Sequence, residues 1–210
     1  MTTLPPQPAA AAGPPAPAYP ATLTFALPER IARWRPFLHW ILAIPHYVVL
    51  GLVGIGLFFV LIAAWFCGVV LGKVPAPLLG FLAMALRYSA RVGAYVYFLT
   101  DQYPPFDLTV GTADSGRYPQ VRFDVVPQVD GRSRLTIFFR ALMIIPHYVV
   151  LYFLSIAASV LVFIGWFAVV FTARWPEGLR DFVVGYLRWS QRVSAYYVLL
   201  TDEYPPFSLD

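Results

Sequence analysis

The sequence predicts an all-α integral membrane protein built as tandem duplicated helical hairpins with short flanking strands. Three observations carry this. The 210 residues are 59% hydrophobic and 12% charged, where a soluble domain has roughly 45–50% and about a quarter. No Asp, Glu, Lys or Arg lies between Arg35 and Lys73, or between Arg140 and Arg174, and a membrane-crossing helix needs only about 20 apolar residues. Shifting the chain by 101 positions aligns 33–108 with 134–209 without a gap, with roughly 30 of about 75 positions identical.

The first segment, "MTTLPPQPAAAAGPPAPAYP" (1–20), is Pro/Ala low complexity. It lacks the basic and apolar regions of a signal peptide and is expected to be disordered. Membrane repeat 1 then covers 21–108, a linker 109–120 and membrane repeat 2 121–210. Each repeat opens with an alternating stretch, Leu23, Phe25, Leu27 or Val121, Phe123, Val125, the spacing of a short edge strand. An arginine-bearing amphipathic segment (30–44 or 132–145) leads to "IPHYVVL", which stands at both 44–50 and 145–151. Proline suits the first turn of a helix, where its missing N–H costs nothing. Pro45 and Pro146 are therefore expected to open long apolar helices ending near Leu71 and Thr172. Turns at "GKVPAP" and "ARWPEG" lead into second helices near 78–99 and 179–200, which Tyr-Pro-Pro terminates.

Topology turns on these second helices. They carry Arg87 and Arg91, and at the equivalent positions Arg188 and Arg192, one helical turn apart on one face. A central arginine costs about 2.5–3.5 kcal/mol on insertion, which a helix lying in the interface avoids. Four crossings nevertheless keep both copies parallel and gather Arg30, Arg33, Arg35, Arg117, Arg122, Arg132 and Arg134 on one side, which is then cytoplasmic. The expectation is four transmembrane helices, with two as the alternative, in a multi-pass protein of the cytoplasmic membrane. Both termini would be cytoplasmic, and the repeats would be related by a pseudo-two-fold axis normal to the bilayer.

The net charge of +4 is modest and spread along the chain, which excludes a nucleic-acid tail. A single cysteine, Cys67, excludes an internal disulfide, and the absence of Asn excludes N-glycosylation. There is no phosphate loop, zinc spacing or Gly-x-Ser-x-Gly elbow, and Pro45 separates His39 from His46, so neither metal nor cofactor is expected.

Two sets of residues remain. His46 and His147, with Arg33, Arg134, Asp101 and Asp202, form a motif at the membrane interface. The aspartates follow helix C-termini, where a negative charge is disfavoured by about 0.3–1 kcal/mol. They need a cation, and Arg33 and Arg134 are the expected partners. Arg87, Arg91, Arg188 and Arg192 have no acidic partner within their own hairpins. Guanidinium forks fit phosphate, which makes them candidates for lipid phosphate.

Laid out twice, "R…FxxxLxIPHYVVL", "WF", "RxSxRVxAY" and "TDxYPPF" resemble an actinobacterial-type bacterial membrane-protein domain of unknown function, found as one or two copies per chain. The resemblance covers about 28–210. It implies a helical membrane fold and supplies no activity. Arg140 follows the arginine position before "IPH", whereas the first copy has His39 there. The expected function is non-enzymatic: organising membrane lipids, a membrane-protein partner or a homo-oligomer. A small transporter or channel would instead require a polar mid-membrane cavity. A membrane enzyme acting on lipid headgroups would require His46 or His147 within hydrogen-bond reach of the aspartates.

Overall fold

The computed structural model describes residues 19–210. The elements are β1 (Ala21–Phe25), α1 (Arg35–Leu71), α2 (Ala76–Val96), β2 (Val121–Val125), α3 (Arg134–Met143), α4 (Ile145–Thr172) and α5 (Glu177–Tyr197). The expected disordered tail lies outside the described residues except for Tyr19 and Pro20. These two are ordered: the Pro20 carbonyl accepts from the Val126 amide at 2.9 Å and the Tyr19 hydroxyl donates to the Glu203 carbonyl at 3.1 Å.

The two strand stretches do not sit on separate edges. They pair with each other, antiparallel, with Leu23 opposite Phe123. Alternation works as expected: Ala21 and Leu23 on one strand, and Val121, Phe123 and Val125 on the other, turn into the core. Leu27 falls beyond the strand end.

An approximate two-fold axis relates the units, and paired contacts reveal it. Phe37 meets Trp166 at 4.9 Å and its equivalent Phe138 meets Trp65 at 5.9 Å between ring centroids. The Ile31 amide donates to Ala173 at 2.9 Å and its equivalent Arg132 amide donates to Gly72 at 3.3 Å. The start of each long helix therefore lies at the end of the other, and α1 and α4 run antiparallel. This corrects the expectation of parallel copies. The symmetry also exchanges elements, because β1 of unit 1 packs on α5 of unit 2 and β2 of unit 2 packs on α2 of unit 1.

Pro45 does not open α1. The helix starts at Arg35, with Pro36 in its first turn, and runs continuously through Pro45. In unit 2 the same proline does begin a helix: α3 ends at Met143, and Pro146 stands in the first turn of α4. Inside α1, Pro45 deletes one helical hydrogen bond, whereas Pro146 in the first turn of α4 deletes none.

Each long helix buries a single stripe: Pro36, His39, Ala43, His46, Val53, Ala64 and Gly68 on α1, and His147, Leu151, Ala158, Val162, Gly165 and Val169 on α4. These positions follow the 3–4 spacing of one helix face. The remaining faces carry exposed large apolar side chains, 16 on α1 and 17 on α3 and α4, 33 together. Two segments, Arg35–Leu71 and Arg134–Thr172, are long and apolar enough to cross a membrane, each holding an 18-residue stretch whose mean hydropathy is 2.7 or 2.5, respectively. Among the described residues α2 and α5 do not meet that measure. They are the inner layer, held between the long helices and the strands; α2 buries 14 of its 21 residues.

The chain between the units has a defined route. After α2 it passes His46 with Tyr103 and Phe106 and returns along α2, where the Gly111 amide donates to Gly80 at 3.3 Å. It forms β2 and reaches the far end of α1, where the Val74 amide donates to Val129 at 3.0 Å. A non-helical segment thus travels from one end of α1 to the other, with Arg117, Arg122 and Asp124 exposed along it.

Two equivalent positions break the symmetry in size. A Cβ on Gly165 would stand 2.5 Å from the Trp175 ring; the equivalent pair in unit 1 is Ala64 and Val74. Large indole and missing methyl compensate each other. Gly165→Ala is expected to destabilise by about 1–3 kcal/mol through overpacking, and Gly165→Ala with Trp175→Val should recover part of that loss. Thermal melts of both variants in one detergent check this.

Candidate functional site

The histidines of the repeated motif are plugs rather than exposed interfacial groups. His46 and His147 are fully buried. His46 Nδ1 is hydrogen-bonded to the Tyr88 hydroxyl at 2.6 Å, and its ring stacks on Phe106 at 4.3 Å. Trp189 donates from Nε1 to His147 Nδ1 at 3.1 Å, and that ring stacks on Phe207 at 3.9 Å. The motif is thereby explained: Tyr-Pro-Pro ends the second helix and turns the chain back, so that its phenylalanine covers the histidine of the first. Asp101 and Asp202 are not hydrogen-bonded to either histidine.

Asp202 does have a cationic partner, but Arg134 is not it. Arg132 and Arg140 converge on Asp202 Oδ1 at 3.1 and 2.5 Å. Arg140 also donates to the carbonyls of Tyr196 at 2.6 Å and Thr201 at 3.0 Å, with its guanidinium 4.3 Å from the Tyr196 ring centroid. Arg132 donates to Leu199 at 2.6 Å. Leu199 has φ 66°, which is costly for a bulky residue, and it is held there by backbone bonds that close α5. Burial pushes the Arg132 guanidinium down to about 10, so it remains charged at neutral pH. Arg33 and Arg134 are exposed.

Unit 1 lacks this cluster. Ile31 and His39 stand where Arg132 and Arg140 stand. His39 keeps only the local half of the arginine's role, donating to the Tyr95 carbonyl at 2.9 Å and stacking on the Tyr95 ring at 4.0 Å. Asp101 has no ion pair among the described residues.

The arginine pairs diverge in the opposite sense. In unit 1 Arg91 bonds Asp114 at 2.9 Å and Asp107 at 3.2 Å. Arg87 lies 3.6 Å from Asp114 and donates to Gly111 at 2.9 Å. Asp114 also accepts from the amides of Gly116 at 2.9 Å and Phe123 at 3.2 Å, tying α2 to β2. The Thr109 hydroxyl, with Ser115 and Arg91, holds Asp107 well below the usual carboxylate range. These two aspartates are the residues the sequence reading missed. Both sit in turn sequences, "DLT" and "DSG", whose Asx-type bonds were a legible signal, but they come from the connecting segment rather than from the hairpin. The reading of Arg87 and Arg91 as lacking an acidic partner is therefore corrected. In unit 2 Arg188 donates to the Leu23 carbonyl at 3.3 Å, and Arg192 donates to the backbone oxygens of Ser208 and Asp210.

The architecture defines a class: a tandem pair of helical units, each with a long apolar helix, a buried histidine plug and an arginine-bearing inner helix. The chain belongs to the family described as "Domain of unknown function (DUF4389)", whose model matches it twice, at 33–107 and 134–208. No curated protein and no solved structure matches the chain.

Two outcomes test these clusters. Asp202→Asn leaves two buried guanidinium groups without their counter-charge and should cost about 3 kcal/mol or more. The loss should be non-additive with Arg140→Gln and additive with Arg134→Gln, as melts of the double-variant cycles will read. Asp107 has a depressed folded pKa, so its contribution is present above the unfolded value of about 4 and fades as pH falls below it. Asp107→Asn should therefore lower the melting temperature at pH 7, and the difference from the parent should close as pH falls below about 4.

Proposed function

We propose that the protein is a non-enzymatic membrane protein that lies along the cytoplasmic face of the bilayer. The outward faces of α1, α3 and α4 are sunk among lipid, while α2, α5 and the strands face water, and the protein organises lipid or a protein partner from that position. The observation that carries the reading is the 33 exposed large apolar side chains on the long helices. A soluble monomer rarely exposes an apolar patch beyond about 300–600 Å².

Two further observations favour lying along the surface over crossing. Crossing would carry the non-helical connection, with its exposed Arg117, Arg122 and Asp124, from one side of the bilayer to the other, and unpaired backbone is not tolerated in hydrocarbon. The two-fold also gives both ends of the helix pair positive charge: Arg30, Arg33 and Arg174 at one end, Lys73 and Arg134 at the other. That pattern offers no inside–outside bias and suits an anionic cytoplasmic leaflet at both ends.

The measurement is nitroxide depth in vesicles, with labels placed singly at Ile41, Leu52, Phe59 and Phe66, all exposed on α1, in a Cys67→Ser background. Similar depths at all four are expected. Crossing would separate Ile41 and Phe66 by about 37 Å along the helix axis and place Leu52 and Phe59 deepest, and that profile would overturn the proposal.

A further inference from the structure

We propose that Arg188 and Arg192 form an oxyanion site that takes a phosphate group. The duplication itself supplies the comparison. Arg87 and Arg91 in unit 1 are the same two residues of the repeat, and there they are saturated by the carboxylates of Asp107 and Asp114, which are 6% and 0% exposed. The arrangement is therefore already used by this chain to hold two oxyanions.

Unit 2 keeps the arginines and replaces one of the two carboxylates. Ser208 stands at the position of Asp107. Among the described residues, no side-chain carboxylate lies within 4.0 Å of Arg188 or Arg192. The guanidinium groups instead line a cavity of about 240 Å³ with Tyr19, Thr22, Thr24 and Asp210. Arg188 commits only its Nε, to Leu23, whereas both Nη groups of Arg192 donate to the backbone oxygens of Ser208 and Asp210. A phosphate has enough acceptor lone pairs to take the uncommitted Nη donors of Arg188 and to replace the backbone oxygens on Arg192. The Asp210 carboxylate lies at the rim, engaged by the Ser208 hydroxyl at 2.6 Å, and opposes the anion.

The cavity has no lining from α1, α3 or α4. In the arrangement proposed above it opens to water, so a soluble phosphate ester reaches it directly; a headgroup phosphate reaches it only if the bilayer meets this face. The site does not depend on the membrane proposal, which the label depths test separately.

The test uses the full chain in a neutral maltoside micelle, titrated with inorganic phosphate or glycerol 3-phosphate at constant ionic strength against chloride. A saturable rise in melting temperature is expected. Arg188→Gln with Arg192→Gln should weaken binding at least ten-fold, whereas Asp210→Asn should tighten it. Ser208→Asp guards against a folding defect: it restores the carboxylate of unit 1, so it should raise the basal melting temperature while weakening phosphate at least ten-fold. Binding by soluble phosphate identifies a soluble ligand. Binding seen only with phosphatidic acid vesicles, and not phosphatidylcholine vesicles, identifies a headgroup. No saturable effect from any of these probes, or undiminished binding in Ser208→Asp and in the double Gln variant, overturns the site.

Discussion

The fold depends on the need to cover α2 and α5 on two sides. Each presents apolar side chains to a long helix and arginines to the opposite side, and neither face can be left bare. The arginine side is the harder one, because a buried guanidinium without a counter-charge or carbonyl is costly. The chain solves this by exchange between units. β1 covers α5, and β2 with its preceding turn covers α2. Tyr19 and Tyr118 seal the two junctions by donating across the two-fold, to Glu203 at 3.1 Å and Gln102 at 2.6 Å. Burial pushes the Tyr118 phenol up to about 12, so it stays a donor. One unit alone would leave its inner helix open, and here each unit supplies the strand that covers the other.

Much of the fold was legible in the sequence, because the signals were local or repeated. The 101-residue offset, the apolar runs, the proline stops and the strand alternation each report on a few neighbouring residues. The relation between the copies was not legible, since identical segments say nothing about whether they pack parallel or antiparallel. The contacts that decide it, Phe37 with Trp166 and Phe138 with Trp65, join residues more than 70 positions apart. The ion pairs failed for the same reason. Arg134 is the repeated residue, yet the partners of Asp202 are the unrepeated Arg132 and Arg140. Repetition marks the shared scaffold, while these pairs lie where the copies differ.

The differences follow a pattern. Unit 1 carries a saturated arginine cluster on α2 and a neutral His39 at the foot of α1. Unit 2 carries an ion-paired foot, Arg132 and Arg140 on Asp202, and an arginine pair on α5 that, among the described residues, donates to backbone oxygens. Each unit thus retains one buried arginine–carboxylate network, at a different place. The unit 1 network ties the inner helix to its covering strand, and the unit 2 network ties the end of α5 to α3. The position freed from that role can change, and in unit 2 it lies at the cavity beside β1.

The apolar long helices fit the same logic. A helix hydrophobic around most of its circumference is not stable against water unless something else covers it. Here the protein covers one stripe and leaves the rest. The buried stripe is rich in small residues, Ala43, Ala64 and Gly68 on α1 and Ala158 and Gly165 on α4, which lets the inner helices approach closely. Phenylalanine and most of the isoleucine face outward. A water-soluble core has the reverse order, with bulk inside to maximise buried area. Where the solvent is lipid, burying bulk has no hydrophobic advantage, and close contact of small residues supplies the packing instead. The distribution of size across the helix, more than total hydrophobicity, is what supports placing these faces in a bilayer.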